Sequence, residues 1–519
     1  MYTILKPYYT HYKSLTQLGL PIIIGQIGTI ILGLADTLMI GQHSTTELGA
    51  AAFVNNMFVL VLVFGLGFAY GLTPIVGSLY AREENNKIGG MLKNALLVNT
   101  LLAVLLVAAM FLLYLNLDKL GQPEELLPLM RPYFIVNLIS LPFFCWFNTF
   151  KQLFDGTTDT KIPMWIMLGG NVFNIVGNYV LIYGKLGFPE LGLYGAGIST
   201  MTSRILMAIV ITIIFFASKR YNIYHHGFLK QSINRADLIF FLRIGFPLSL
   251  QMSMETAAFS LSSIMVGWIG TKALAAHQVM LSISQLFYMV YYGMGAAIAI
   301  RVSYFMGQRD YKAVQLSSSA GFHLIMLIAF IVAIPVFIYR NQMGALFTDS
   351  EDVCQMVAQL IWPLMIYQIG DGLQCAYGNA MRGLSYVKPL VPTAFVAFFL
   401  ISLPIGFLLG IKLNFGIQGI WYAFPFGLTT AGMLYYYFFR KELNKLANKK
   451  EAILPKSLFR LVFLCSSIKL VRIFITENIQ AILSLDCICQ KNSFATYNFY
   501  GSYSLLQRQQ QMRRIQIYN

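Results

Sequence analysis

Residues 15–41 read Leu15-Thr-Gln-Leu-Gly-Leu-Pro21-Ile-Ile-Ile-Gly-Gln-Ile-Gly-Thr-Ile-Ile-Leu-Gly-Leu-Ala-Asp36-Thr-Leu-Met-Ile-Gly41. A helix built from this stretch is apolar on nearly every side and carries one charge, Asp36. About 20 mostly apolar residues suffice to cross the hydrocarbon core of a bilayer. Eleven further runs of this kind follow, near 51–80, 93–115, 128–152, 163–184, 193–217, 238–267, 276–304, 318–340, 355–380, 388–411 and 416–439. None alternates as the strands of a membrane barrel do. The expected fold class is all-α: a polytopic membrane protein of 12 transmembrane helices.

Composition agrees. The 519 residues are 57% hydrophobic and 11% charged, against about 25% charged in soluble domains. Mean hydropathy is +0.64. The net charge of +16 would suggest nucleic acid in a soluble chain. Here the basic residues lie between apolar runs, and no nucleic-acid partner is expected. Arg82 and Lys87 follow the second run. Lys151 and Lys161 flank the fourth connection; Lys219, Arg220, Lys230 and Arg235 follow the sixth run. Arg309 and Lys312 follow the eighth, and Arg382 and Lys388 the tenth. The odd connections hold scattered single cations such as Lys185, Lys272 and Lys412. The positive-inside rule then places both termini in the cytoplasm. The first run is too long for the core of a cleaved leader, and no small-residue cleavage site follows it. The six cysteines show no metal-ligand spacing and read as free thiols.

The two halves repeat. Ile40-Gly41 followed by Leu48-Gly49-Ala50 matches Val266-Gly267 followed by Leu274-Ala275-Ala276. The same offset of 226 pairs Gly67 with Gly293, Glu84 with Asp310, Pro163 with Pro389 and Gly184 with Gly410. A repeat of six spans enters the membrane the same way twice, so the halves form two pseudo-symmetric six-helix bundles about an axis along the membrane normal. The reading divides the chain into an N-terminal lobe 1–220, a C-terminal lobe 221–440 and a basic cytoplasmic tail 441–519. That tail has 12 Lys/Arg against 4 Asp/Glu. Its stretch 461–475 suits a helix lying on the membrane surface, because Lys469 and Arg472 are costly within a span.

Few acids fall deep in a span: Asp36, Glu255 and Asp371 stand out. A charge there costs ~2.5–3.5 kcal/mol on insertion scales, so it needs a partner, water or a proton. The plainer alternative is an interhelical hydrogen bond. Asn174 and Asn178 are one turn apart in the fifth span, with Thr200 in the sixth; Tyr367, Asp371 and Gln374 share a face of the tenth. Such amides, hydroxyls and carboxylates can frame a cation or a proton, or simply join helices. Pro21 and Pro247 precede Asp36 and Glu255 in their spans, and Pro21 is a candidate helix bend coupled to its acid. Gly65, Gly67, Gly71, Gly293 and Gly295 suit close helix packing. His277, alone in its span, reads as a packing residue.

No Gly-Lys-Ser/Thr phosphate loop, His-Glu-x-x-His or Gly-x-Ser-x-Gly occurs, so neither an enzyme nor a cofactor is expected. Taken together, the first span from Pro21 to Gly41, Asn174-Ile-Val-Gly-Asn178-Tyr, Leu191-Gly-Leu-Tyr-Gly-Ala-Gly-Ile-Ser-Thr200, Glu255 and Tyr367-Gln-Ile-Gly-Asp371-Gly-Leu-Gln374 resemble the multidrug and toxic compound extrusion (MATE) transporters, in particular their bacterial NorM-type branch. The resemblance covers roughly residues 10–440. It implies a secondary antiporter of the bacterial inner membrane, a monomer among lipids, exporting cationic, often aromatic drugs in exchange for Na⁺ or H⁺. It implies an ion or proton site at Asp36, Asn174, Asn178 and Thr200, and a cation site, able to take Na⁺, at Glu255, Tyr367 and Asp371. Arg382-Gly383-Leu-Ser-Tyr departs from the family's usual Gly-Asp-Thr after Arg-Gly, whereas the first half keeps Gly156-Thr-Thr-Asp159-Thr160. A flippase for lipid-linked sugars is the other transporter reading; it calls for a basic central cavity, and few cations fall within the spans.

Overall fold

Apolar runs in lipid cannot leave backbone N–H and C=O groups bare, and a helix pairs them within one segment. In the computed structural model, which describes residues 6–121 and 123–453, all regular structure among the described residues is helical. Twelve long helices follow one another: α1 Tyr9–His43, α2 Thr45–Ala81, α3 Asn85–Tyr114, α4 Leu127–Gly156, α5 Lys161–Ile182, α6 Gly192–Ala217, α7 Arg235–Ile269, α8 Thr271–Gly307, α9 Tyr311–Ile338, α10 Glu351–Gly383, α11 Leu390–Lys412 and α12 Gly416–Ile453. Ten are long and apolar enough to cross a membrane. The other two, α7 and α12, have the length, 35 and 38 residues, and mix in more polar side chains.

Some boundaries differ from expectation. The second span starts earlier, at Thr45, because Ser44 caps it: the Ser44 Oγ accepts from the Glu47 N–H at 3.4 Å. The last helix runs on to Ile453, well past 439, its polar end continuing the same helical turns. Residues 441–453, read as the start of the basic tail, therefore continue the last helix. The readings made for the chain beyond 453 lie outside the described residues. The connection after α6, read as a loop, holds the helix Asn222–Lys230. Gly227 lets it lie on the start of α3, since a Cβ there would be 1.9 Å from the Asn86 carbonyl oxygen. Within α11, π-helical turns at Phe395–Ser402 and Leu408–Lys412 flank Leu403–Phe407. Pro404 lacks an N–H and crowds the preceding turn, and wider turns accommodate it.

The halves meet through glycines placed by the repeat. A Cβ on Gly67 of α2 would lie 2.7 Å from the Ser249 Cα of α7; one on Gly293 of α8 would lie 3.0 Å from the Ile23 nitrogen of α1. Both members of these contacts are related by the 226 offset, 67 with 293 and 23 with 249. Gly77 faces Ser303, its own counterpart. A two-fold relation between halves therefore passes between α2 and α8, as a parallel repeat requires. The exit turns repeat as well: Glu83 and Arg309 have φ of 59° and 58°, and Thr158 and Ser385 66° and 57°. The departure from the family's loop sequence after Arg382 thus leaves the backbone path of that turn intact.

Candidate functional site

In the first half α1, α5 and α6 converge. The Asn178 amide donates to Asp36 Oδ1 at 2.5 Å. With its amide nitrogen turned toward the carboxylate, Asn174 donates to the same oxygen at 3.2 Å, while its own oxygen accepts from the Thr200 N and Oγ1 at 3.2 and 3.1 Å. Ser199 Oγ fixes the α5 backbone by donating to the Asn174 carbonyl at 2.8 Å. The two asparagines are buried, and Asp36 is half-buried. The structure thus brings Asp36, Asn174, Asn178 and Thr200 into one network. Asn178 Oδ1 is buried without a hydrogen-bond partner among the described residues.

In the second half, Glu255 of α7 accepts from Gln251 Nε2 and from Gln374 Nε2 of α10, both at 3.0 Å. Asp371 is half-buried one turn before Gln374, the residue whose amide holds Glu255. Tyr367 is buried; its hydroxyl bonds to Ser284 Oγ of α8, and Asp371 follows one turn later on the same helix. Gln374 Oε1 is buried without a partner among the described residues. Two like-charged carboxylates with an open amide oxygen and a phenol oxygen form a donor set that suits a monovalent cation or a proton. Among the described residues no three His, Cys, Asp or Glu side chains gather as a metal centre would need.

Other expectations find definite places. Pro21 is buried inside α1, which stays one helix from Tyr9 to His43. His277 is fully buried: Trp421 Nε1 donates to its Nδ1 at 3.1 Å and Ser263 Oγ lies 2.8 Å from its Nε2. It is a packing residue with both nitrogens satisfied. Arg382 was assigned to the loop after the tenth span. It instead belongs to α10 and is buried, because the helix runs past the apolar run and carries it into the other half. Lys151 is buried too, paired with Asp155 at 2.8 Å one turn on. Arg204 in α6 went unremarked, although a charge in the middle of an apolar run was a visible signal. Gln251 also escaped notice; its spacing of four from Glu255 on one helix could have revealed it.

Comparison with known proteins completes the account. The MatE family model matches the chain twice, over residues 21–180 and 247–408, starting points that differ by the repeat offset. A probable multidrug resistance protein NorM of Photorhabdus laumondii is 28% identical over 433 residues, covering 82% of this chain and 95% of the relative. The multidrug resistance protein MdtK of the same organism is 26% identical, covering 83% and 95%. Among solved structures, an outward-facing multidrug resistance MATE family transporter of the MOP superfamily superposes with a TM-score of 0.77 at 18% identity, over 84% of this chain and 97% of that one. The eukaryotic MATE transporter AtDTX14 gives 0.75 at 18%, over 85% and 99%. Matched in both of its halves, this chain belongs to the MatE family.

Proposed function

We propose that the protein is a secondary antiporter of the bacterial inner membrane that exports cationic and aromatic toxic compounds in exchange for Na⁺ or H⁺. The observation that carries this reading is the pair of acid–amide networks, one in each half. Each joins a half-buried carboxylate to amide donors and leaves one buried amide oxygen without a donor among the described residues. The relatives, named as multidrug resistance proteins, point the same way.

In this reading the lobes are residues 1–220 and 221–440, and both termini face the cytoplasm. The coupling ion settles among Glu255, Asp371 and the Tyr367 hydroxyl, where it relieves the repulsion of the two acids. Asp36, held by Asn174 and Asn178, takes a cation or proton in the other lobe. The named contacts between halves join the N-terminal part of α1, the C-terminal parts of α2 and α8 and the N-terminal part of α7. With both termini cytoplasmic, that end is the cytoplasmic face, and the halves touch there. Ion and drug favour opposite states, as uphill exchange demands.

The test is efflux of ethidium from proteoliposomes under a Na⁺ gradient and a pH gradient imposed separately, for the natural protein and for Asp371→Asn. Efflux under one gradient, lost in the variant, supports the reading and names the ion. No movement under either gradient, with inserted protein, rejects it.

A further inference from the structure

At the C-terminal end of α1 a histidine stands between two acids. His43 is the last residue of that helix, past the apolar run that ends at Gly41. Its Nδ1 lies 2.8 Å from Glu47 Oε2 in the first turn of α2, and its Nε2 lies 2.9 Å from Glu190 Oε1 in the connection between α5 and α6. His43 and Glu47 are largely shielded, with side-chain exposures of 19% and 13%, whereas Glu190 is exposed. The backbone sets both acids in place. Gly192, at φ 52°, starts α6 against the Glu47 carboxylate, where a Cβ would lie 2.3 Å from Oε1. Gly184, at φ 61°, folds the connection back on itself, where a Cβ would lie 2.8 Å from the Glu190 nitrogen.

The bonding fixes a proton count. An ionised carboxylate only accepts hydrogen bonds, and a neutral imidazole has a single N–H. Both ring nitrogens of His43 face a carboxylate oxygen at hydrogen-bond distance. A neutral ring between two ionised acids would set a nitrogen lone pair against an oxygen. The bridge therefore holds one proton more than that, as an imidazolium or on one of the acids. The end of a helix favours the positive ring as well. The Tyr183 ring at the end of α5 lies 6.1 Å from the histidine ring, its hydroxyl donates to the Met39 carbonyl at 2.9 Å, and Tyr179 packs behind it. Among the described residues neither acid forms an ion pair with a Lys or Arg, Lys185 of the same connection included.

We propose that His43, Glu47 and Glu190 form a proton-binding clasp at the extracellular mouth of the first lobe, separate from the coupling sites. With its proton, the clasp ties the end of α1 to the start of α2 and to the α5–α6 connection. Helices α1, α5 and α6 also carry Asp36, Asn174, Asn178 and Thr200, and Asp36 lies about two turns before His43. Without the proton, two acids surround a neutral ring and the end of α1 is released. A free histidine gives up its proton near pH 6.5, whereas a bridge that needs the proton keeps it to higher pH. The stabilisation is therefore complete in acid and disappears as the pH rises through the titration of the bridge. The outside position of the clasp rests on the topology read above.

The experiment follows backbone hydrogen exchange of residues 37–43 and 188–195 in the purified full-length protein at pH 6 and pH 9. Each rate for His43→Gln is divided by that of the natural protein, which cancels the intrinsic pH dependence of exchange. At pH 6 the variant is expected to exchange about fivefold faster, and at pH 9 the ratio should approach one. In Glu47→Gln the new amide can donate to an unprotonated ring nitrogen, so the bridge needs no extra proton. Exchange in that variant should stay slow at pH 9, where the natural protein has become fast. A His43→Gln ratio that is the same at both pH values overturns the clasp, as does a Glu47→Gln protein that opens at pH 9 like the natural one. Glu190→Cys in intact cells is expected to react with a membrane-impermeant maleimide, to which the natural protein is the control. Reaction only after permeabilisation overturns the outside position, and with it the topology, whatever the exchange shows.

Discussion

Arg382 of α10 crosses into the opposite half to lie on Tyr70 of α2: its guanidinium carbon is 4.2 Å from the ring centroid, and its Nε donates to the Tyr70 carbonyl at 3.2 Å. Nη2 reaches Thr73 Oγ1 at 3.3 Å and Gln152 Oε1 at 3.2 Å, while Nη1 stays on Asn379 of its own helix at 3.3 Å. One side chain of the second half thereby ties α2 and α4 of the first. Hydrogen bonds to a charged donor contribute about 1.5–3 kcal/mol each when their loss leaves partners buried. Arg382→Ala should loosen this closed face. Hydrogen exchange across residues 66–81 is expected to speed up in the variant and less so in Arg382→Lys; identical exchange would show that the contact bears no weight.

The glycine crossings should tolerate nothing larger. Gly67→Ala would push a methyl against the backbone of Ser249, which cannot swing aside. Overpacking of this kind costs about 1–3 kcal/mol. We expect a lower melting temperature in detergent and impaired efflux for Gly67→Ala. Gly33→Ala, where a Cβ meets nothing within 4 Å, should behave as the natural protein does.

Removing the acids should separate folding from transport. Asp36→Asn and Asp371→Asn keep shape and hydrogen-bonding capacity while deleting a charge that is costly in lipid. Each is expected to insert and express normally and to lose at least tenfold in ethidium efflux. Full efflux in both variants would reject the two-site account.

His277 should matter for stability alone. His277→Ala leaves the Trp421 N–H, now bonded at 3.1 Å, without an acceptor, a loss of about 1–3 kcal/mol. Thermal unfolding should move down, whereas efflux per folded molecule should not change.

Hydropathy revealed the helices because a bilayer imposes both length and apolarity on whatever crosses it. Asp36, Asn174 and Asn178 stood out for a related reason: polar groups in an apolar run are expensive, and a spacing of four puts two of them on one face. Other features depend on tertiary placement. Arg382 follows the apolar run as a topogenic loop cation would, and only the packing of the halves shows it buried against Tyr70. The helix Asn222–Lys230 is too polar to register as a span and too short to show periodicity; what stabilises it is its seat on α3. Arg204 is legible as a lone cation in the middle of an apolar run.

The contact of Gly77 with Ser303, its own counterpart in the repeat, has a bearing on ancestry. When equivalent positions of two copies touch across an axis, each copy presents the same surface to the other, as subunits of a symmetric dimer do. A single-length ancestor of six helices would have covered this face by pairing with itself. Fusion of two such copies would free the halves to diverge, as Arg204 in one and the acids Glu255 and Asp371 in the other illustrate.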